Sequence, residues 1–203
     1  MMKDKYLSIK EKSEGLYKEK GSKFIALAFP VKHEDEVKQL IQSVKKEHYS
    51  ANHHCFAYII FNKDVHFRAS DDGEPRHTAG DPILNQIKSF QLMNVLVIVI
   101  RYFGGTKLGK SGLINAYKTA SKEALSNAII IEKVQKSEIS IHFNYEGIND
   151  IMHVLQQYDF KISDQEYEES CTITGSIPLS EVSELLNKLS GYKNVIKVDQ
   201  LSG

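Results

Sequence analysis

NVLVIVIRYFGGTKLGKSGLINAY, residues 94–117, decides how this chain is read. Val95 to Ile100 are apolar at every position, which marks a strand buried on both faces and therefore central in its sheet. Gly104, Gly105, Gly109 and Gly112 then break the run. Beyond them Leu113, Tyr117, Ala120, Ala124 and Ala128 recur at helical spacing and mark one packed face. Strand, glycine loop and helix form the setting of a phosphate-binding loop, and residues 104–111, GGTKLGKS, spell G-x-x-x-x-G-K-S. Such a loop cradles phosphates on backbone amides, reaches the terminal phosphate with its lysine and holds magnesium with its hydroxyl.

The rest of the chain supports that chemistry poorly. A nucleotide hydrolase also needs a further apolar strand ending in an acidic residue. The only candidates are IIIE (129–132), which directly follows the loop's own helix, and VIKVD (195–199), which belongs to a later unit. About half the chain precedes the loop and mixes hairpins with helices. The alternative is a tight strand-to-helix connection whose glycines supply unusual backbone angles. A middle reading is an anion site. Arg101, Lys107, Lys110, Lys118 and Lys122 stand in one stretch with no acidic residue, and a helix N-terminus near Lys110 adds free amides.

Upstream, residues 23–31 (KFIALAFPV) read as a strand whose end Pro30 places at an edge. Val37, Leu40, Ile41 and Val44 predict a helix. Residues 53–61 and 65–70 predict a hairpin turning at 62–64. SDDGEPRHTAGDP (70–82) is loop, and Asp81-Pro82 predicts a helix start with Asp81 as its cap, followed by apolar Ile83, Leu84 and Ile87. Downstream, strand 137–143, the helix of Ile148, Ile151, Met152 and Leu155, two strands turning near 168–169, the helix of Val182, Leu185, Leu186 and Leu189, and strand 194–201 give βαββαβ. That is the ferredoxin-like order.

With 203 residues, 41% hydrophobic and 26% charged, the composition suits a folded soluble protein of one large or two small domains. No segment has the length of a transmembrane helix, and the charged N-terminus lacks a signal peptide's apolar core. Cys55 and Cys171 read as free thiols of a cytoplasmic protein. Net charge is zero, but residues 1–130 hold 20 Lys/Arg against 14 Asp/Glu, and residues 131–203 hold 6 against 12. That asymmetry suggests two units, with a boundary near 131–136. The acidic second half is a poor nucleic-acid surface by itself.

Two clusters raise chemical questions. On a strand, His53 and Cys55 point one way and His54 the other, so at most two of the three could share a metal, and zinc wants three or four ligands. Cys55 then reads as a small buried apolar residue, with one histidine bonded to the acidic loop. Asp71, Asp72 and Glu74 could bind magnesium or share a proton, but no nucleophile accompanies them. The plainer reading is a turn capped by its own aspartates, or an ion pair to Arg76 or Arg101.

Three motifs taken together, HHCFAY (53–58), SDDGEPRHTAGDPIL (70–84) and IRYFGGTKLGKSGLINAY (100–117), resemble the YigZ/IMPACT family over most of residues 15–130. The positions that carry the resemblance are Arg101, Tyr102, Gly104, Gly105, Leu108, Gly109 and Gly112, with His53, His54, Cys55 and residues 71–75. In that family the positions of Lys110 and Ser111 often hold other residues, so GGTKLGKS resembles the family's glycine turn. The resemblance implies an α+β fold. Its N-terminal domain is like a small-subunit ribosomal protein and elongation factor G domain IV. Its ferredoxin-like C-terminal domain is like domain V of that factor. It also implies a link to translation, since eukaryotic members bind the activator of a translation-control kinase.

The expectation is thus a cytoplasmic protein with domains 1–131 and 137–203 that works by binding, without catalytic residues, cofactor, metal or membrane. Its expected partner is the ribosome, RNA or a translation-associated protein. The expected binding residues are Arg101, Tyr102, Gly104, Gly105, Lys107, Gly109, Lys110, Lys118, His53, His54, Asp71, Asp72 and Glu74, with Phe103 as a further apolar anchor or a core residue. The alternative is a nucleotide-binding or metal-dependent hydrolase using residues 104–111 or the Asp71/Asp72/Glu74 cluster.

Overall fold

The computed structural model describes residues 4–61, 64–168 and 170–201. Its elements in order are β1 (Lys5–Ile9), β2 (Ser13–Glu19), β3 (Ser22–Pro30), α1 (Glu34–Glu47), β4 (His53–Phe61), β5 (Val65–Ser70), α2 (Gly80–Ser89), β6 (Val95–Tyr102), α3 (Gly109–Ser126), β7 (Ile130–Val134), β8 (Lys136–Asn144), a 3-10 turn (Tyr145–Gly147), α4 (Ile148–Leu155), β9 (Lys161–Tyr167), β10 (Ser170–Pro178), α5 (Leu179–Leu189) and β11 (Val195–Leu201). The chain divides into two compact units. One is Leu7–Lys133; the other takes Val134 onward together with the N-terminal stretch through Tyr6. The turns expected at 62–64 and 168–169 fall partly outside the described residues.

The first unit is built on a sheet of order β2-β3-β6-β4-β5, antiparallel at every pairing. As its unbroken apolar run predicts, β6 is the middle strand. Its alternation divides it between two cores: Val95, Val97 and Val99 pack with α2 and α3, while Leu96, Ile98 and Ile100 pack with α1. The arrangement is a helix–sheet–helix sandwich.

Strands β1, β2 and β7 were not expected. β2 joins β3 through a tight turn in which Lys20 (φ 46°) and Gly21 (φ 80°) are both left-handed, the geometry of a type I′ hairpin. β3 is therefore interior over most of its length, and its end at Pro30 lies at an edge, as the proline predicts. The proline is tolerated because the β2 pairing ends at Ala28, so the missing N–H faces no β2 residue. β1 and β7 pair as a separate two-stranded ribbon.

In the second unit, β11-β8-β10-β9 form an antiparallel sheet, the ferredoxin-like order. Ile139, Ile141 and Phe143 of β8 face a core closed by Ile151, Val154 and Leu155 of α4 and by Val182, Leu185 and Leu189 of α5. The chain is thus α+β in two parts. None of its helices, among the described residues, is long and apolar enough to cross a membrane.

Candidate functional site

The site lies at one end of the first unit's sheet. His53 of β4 stands opposite Arg101 of β6. Strand alternation puts both on the face of Cys55 and Val99, toward α2 and α3, and turns His54 and Tyr102 to the α1 face. Arg101 Nη1 donates to Glu74 Oε1 at 2.6 Å, with side chains only 6% and 3% exposed. The Tyr117 hydroxyl donates to the same oxygen at 2.8 Å, and the Cys55 thiol lies 3.4 Å from the Tyr117 oxygen and 3.0 Å from the Asp71 carbonyl, the nearer acceptor for its one proton. Burial pushes the Cys55 thiol and the Tyr117 phenol far up, so both stay protonated near neutral pH. Such a thiol is a packing group and a poor metal ligand. The guanidinium lies 5.4 Å from the ring centroids of both Phe24 and Phe103, and its buried Nε has no hydrogen-bond partner.

The acidic loop is held by its own aspartates. Asp71 Oδ1 accepts from the amides of Ala79 and Gly80 at 3.0 and 2.8 Å, and Oδ2 from the His77 amide at 2.9 Å. Asp71, not Asp81, therefore caps α2, whose first residue is Gly80. This corrects the sequence expectation, because a loop residue nine positions away reaches the open amides. Asp81 instead bonds the His77 ring at 2.6 Å. Burial opposes ionisation of Asp71, yet the amides of Gly80, His77 and Ala79 overcome it and hold the carboxyl below the usual range. Asp72, with φ 40°, accepts from the His54 amide at 2.7 Å and from Lys45 Nζ at 3.0 Å. Burial opposes its ionisation too, and those two partners lower its pKa. The Asp72 carbonyl accepts from His53 Nδ1 at 2.9 Å. A carbonyl cannot donate, so Nδ1 of His53 carries a proton. His53 Nε2 lies 3.9 Å from Glu74 Oε1.

The glycine loop is shaped by close backbone approach. A Cβ on Gly104 would fall 1.9 Å from the Gly21 carbonyl carbon, so only glycine lets the loop lie on the β2–β3 turn. Gly105 (φ 85°) and Gly109 (φ 69°) supply the left-handed bends that project Lys107 and start α3. The helix begins at Gly109, its N-cap Leu108 makes no side-chain capping bond, and its first turn has no acidic residue. Its leading amides are therefore open to an anion. The surrounding sheet is antiparallel on both sides of β6, unlike the alternating strand–helix frame of a phosphate-loop hydrolase.

Between these parts is a pocket of ≈ 470 Å³ lined by Asn52, His53, Glu74, Pro75, Arg101, Phe103, Lys107, Leu108, Gly109, Lys110 and Leu113. It gathers six of the expected residues: His53, Glu74, Arg101, Lys107, Gly109 and Lys110. The others lie elsewhere. Tyr102 bonds the His48 ring at 2.9 Å, and the His54 ring bonds the His48 carbonyl at 3.1 Å. Asp71 and Asp72 hold the turn, Gly104 and Gly105 shape the loop, and Lys118 is exposed further along α3. Arg101 is a wall residue whose charge Glu74 meets, so the open positive charge here belongs to Lys107 and Lys110; neither forms an ion pair among the described residues. Phe103 is 44% exposed rather than core.

Sequence reading missed Asn52 and the Tyr117 hydroxyl, and reached Pro75 only through the resemblance over residues 71–75. Asn52 takes the Phe103 amide on its side chain at 2.8 Å. Nothing in the local pattern distinguishes these residues from loop or core. No group of three His, Cys, Asp or Glu side chains able to hold a metal occurs among the described residues.

Residues 20–125 match the Impact N-terminal domain, and residues 141–190 match a domain of unknown function, DUF1949. IMPACT family member YvyE of Bacillus subtilis is 33% identical over 97% of this chain and 92% of its own length. IMPACT family member YigZ of Escherichia coli is 31% identical over 85% of this chain and 86% of its own. A crystal structure of a hypothetical protein superposes with a TM-score of 0.71 at 28% identity, covering 100% of this chain and 98% of that one. Domain content and full-length similarity agree, and the chain belongs to the IMPACT family.

Proposed function

We propose that this protein is a non-catalytic, cytoplasmic binding protein linked to translation, with domains 1–131 and 137–203. It engages the ribosome or its RNA through the glycine-loop face of the first domain. Membership of the IMPACT family supports the link to translation. The observation that carries the choice of face is the pairing of Lys107 and Lys110, which meet no carboxylate among the described residues, with the uncapped start of α3. Phosphate backbones are drawn to such a surface with a strong salt dependence. Phe103 beside them offers an exposed ring for an unpaired base. A translation-associated protein with an acidic surface is the second reading, supported by the same charges.

Co-sedimentation with ribosomes and separated subunits at low and moderate salt tests this. Salt-sensitive binding, lost in the K107A/K110A double variant, is the expected result. Equal recovery of both proteins with the ribosomes overturns the choice of face, and no recovery of either overturns the ribosome reading.

A further inference from the structure

The pocket beneath the glycine loop has more room than a surface that only touches a backbone needs. Its ≈ 470 Å³ falls within the range of small-molecule sites. A water's share of liquid volume is about 30 Å³, so a lone inorganic anion would leave most of it unfilled. The lining divides by chemistry. Pro75, Phe103, Leu108 and Leu113 form an apolar wall, and Lys107 and Lys110 stand at the start of α3. A second observation is independent of that helix end. Arg101, which lines the pocket, is 5% exposed and keeps a buried Nε with no hydrogen-bond partner. A buried donor left unpaired costs stability and calls for an explanation such as a bound water or ion. Glu74, the one carboxylate in the lining, does not bar an anion, because Arg101 and Tyr117 already satisfy the same oxygen.

We propose that this pocket is a binding site for a nucleoside monophosphate, with the phosphate on the α3 amides, Lys107 and Lys110, and the flat base against Phe103. The site does not depend on the ribosome reading. It also does not need magnesium or a second phosphate, since among the described residues Glu74 is the only carboxylate lining the pocket and it is already bound to Arg101 and Tyr117. His53, whose Nδ1 is taken by the Asp72 carbonyl, lines the pocket and offers Nε2 to a polar group of the ligand.

Isothermal titration of the whole chain with AMP, GMP, CMP and UMP, and in separate arms with adenosine and with inorganic phosphate, tests it. The expected result is saturable binding of at least one monophosphate, with adenosine and phosphate each weaker by about tenfold or more, the equivalent of one lost charge-assisted contact. K110A and F103A should each weaken binding. Both residues are exposed, so these variants keep the fold, which circular dichroism would verify. Three results each overturn the proposal: no saturable binding of any monophosphate, phosphate binding as tightly as the monophosphates, or undiminished affinity in both variants. Ribosome co-sedimentation is read separately, so either finding can fail without the other.

Discussion

The two sheets of this protein treat polar side chains in opposite ways. The five-stranded sheet is covered on both faces, and its end holds Arg101, Glu74, Tyr117 and Cys55 in a linked set away from water. The four-stranded sheet is covered by α4 and α5 on one face. Its other face carries Ser140, His142, Thr172 and Thr174, which bond one another: His142 Nδ1 lies 3.0 Å from Thr172 Oγ1, and Thr174 donates to Ser140 at 3.2 Å. His142 Nε2 also approaches Asp199 at 3.5 Å. Serine, histidine and aspartate meet there, but serine and aspartate both approach the same ring nitrogen, which is not a relay geometry. In the first sheet a polar group without its partner has nowhere to turn. In the second, water replaces whatever is lost.

The largest effect that sharpens this contrast is Glu74→Ala. It strands a buried guanidinium and should cost about 3–5 kcal/mol, read by urea denaturation of the whole chain. Gly104→Ala comes next, because its methyl meets the Gly21 backbone. A loss of about 2 kcal/mol is expected, with the β2–β3 turn displaced. Tyr117→Phe removes one buried hydrogen bond and should cost about 1 kcal/mol. Asp199→Ala in the open sheet should fall within about 0.5 kcal/mol of the parent. A loss at Asp199 matching that at Glu74 would break the comparison.

The smallest effect is a pH dependence. Asp71 and Asp72 have folded pKa values below their unfolded ones, so the stability they contribute is fully present above the unfolded aspartate value of about 3.9. It is lost as pH falls through the depressed folded values. Asp71→Asn should therefore flatten the acid limb of the stability curve and leave its shape above about pH 5 unchanged, since asparagine cannot titrate.

Much of the fold was legible because its signals are local. Val95 to Ile100 could only be a strand with two buried faces. The ferredoxin-like order followed from apolar spacing alone, since a period of two or 3.6 is written within a few residues. The β2–β3 hairpin was missed although Lys20-Gly21 carries a turn signal, because β2 alternates charged and small residues and shows little apolar pattern. Asp81 was read as the α2 cap because a cap is sought next to its helix, and the acceptor came from Asp71 instead.

By itself, then, the sequence determined the central strand, the glycine loop and helix after it, the ferredoxin-like second half and the family. Each rests on periodicity, or on residue types whose backbone demands are intrinsic. Only the tertiary structure decided that Arg101 belongs to Glu74, 27 positions away, and that Tyr117, 43 positions from Glu74, completes the set. That pairing withdrew one charge from the apparent basic stretch and left Lys107 and Lys110 to face the pocket. Which of several carboxylates meets a buried cation depends on how sheet and helices bring distant segments together, and no spacing along the chain records it.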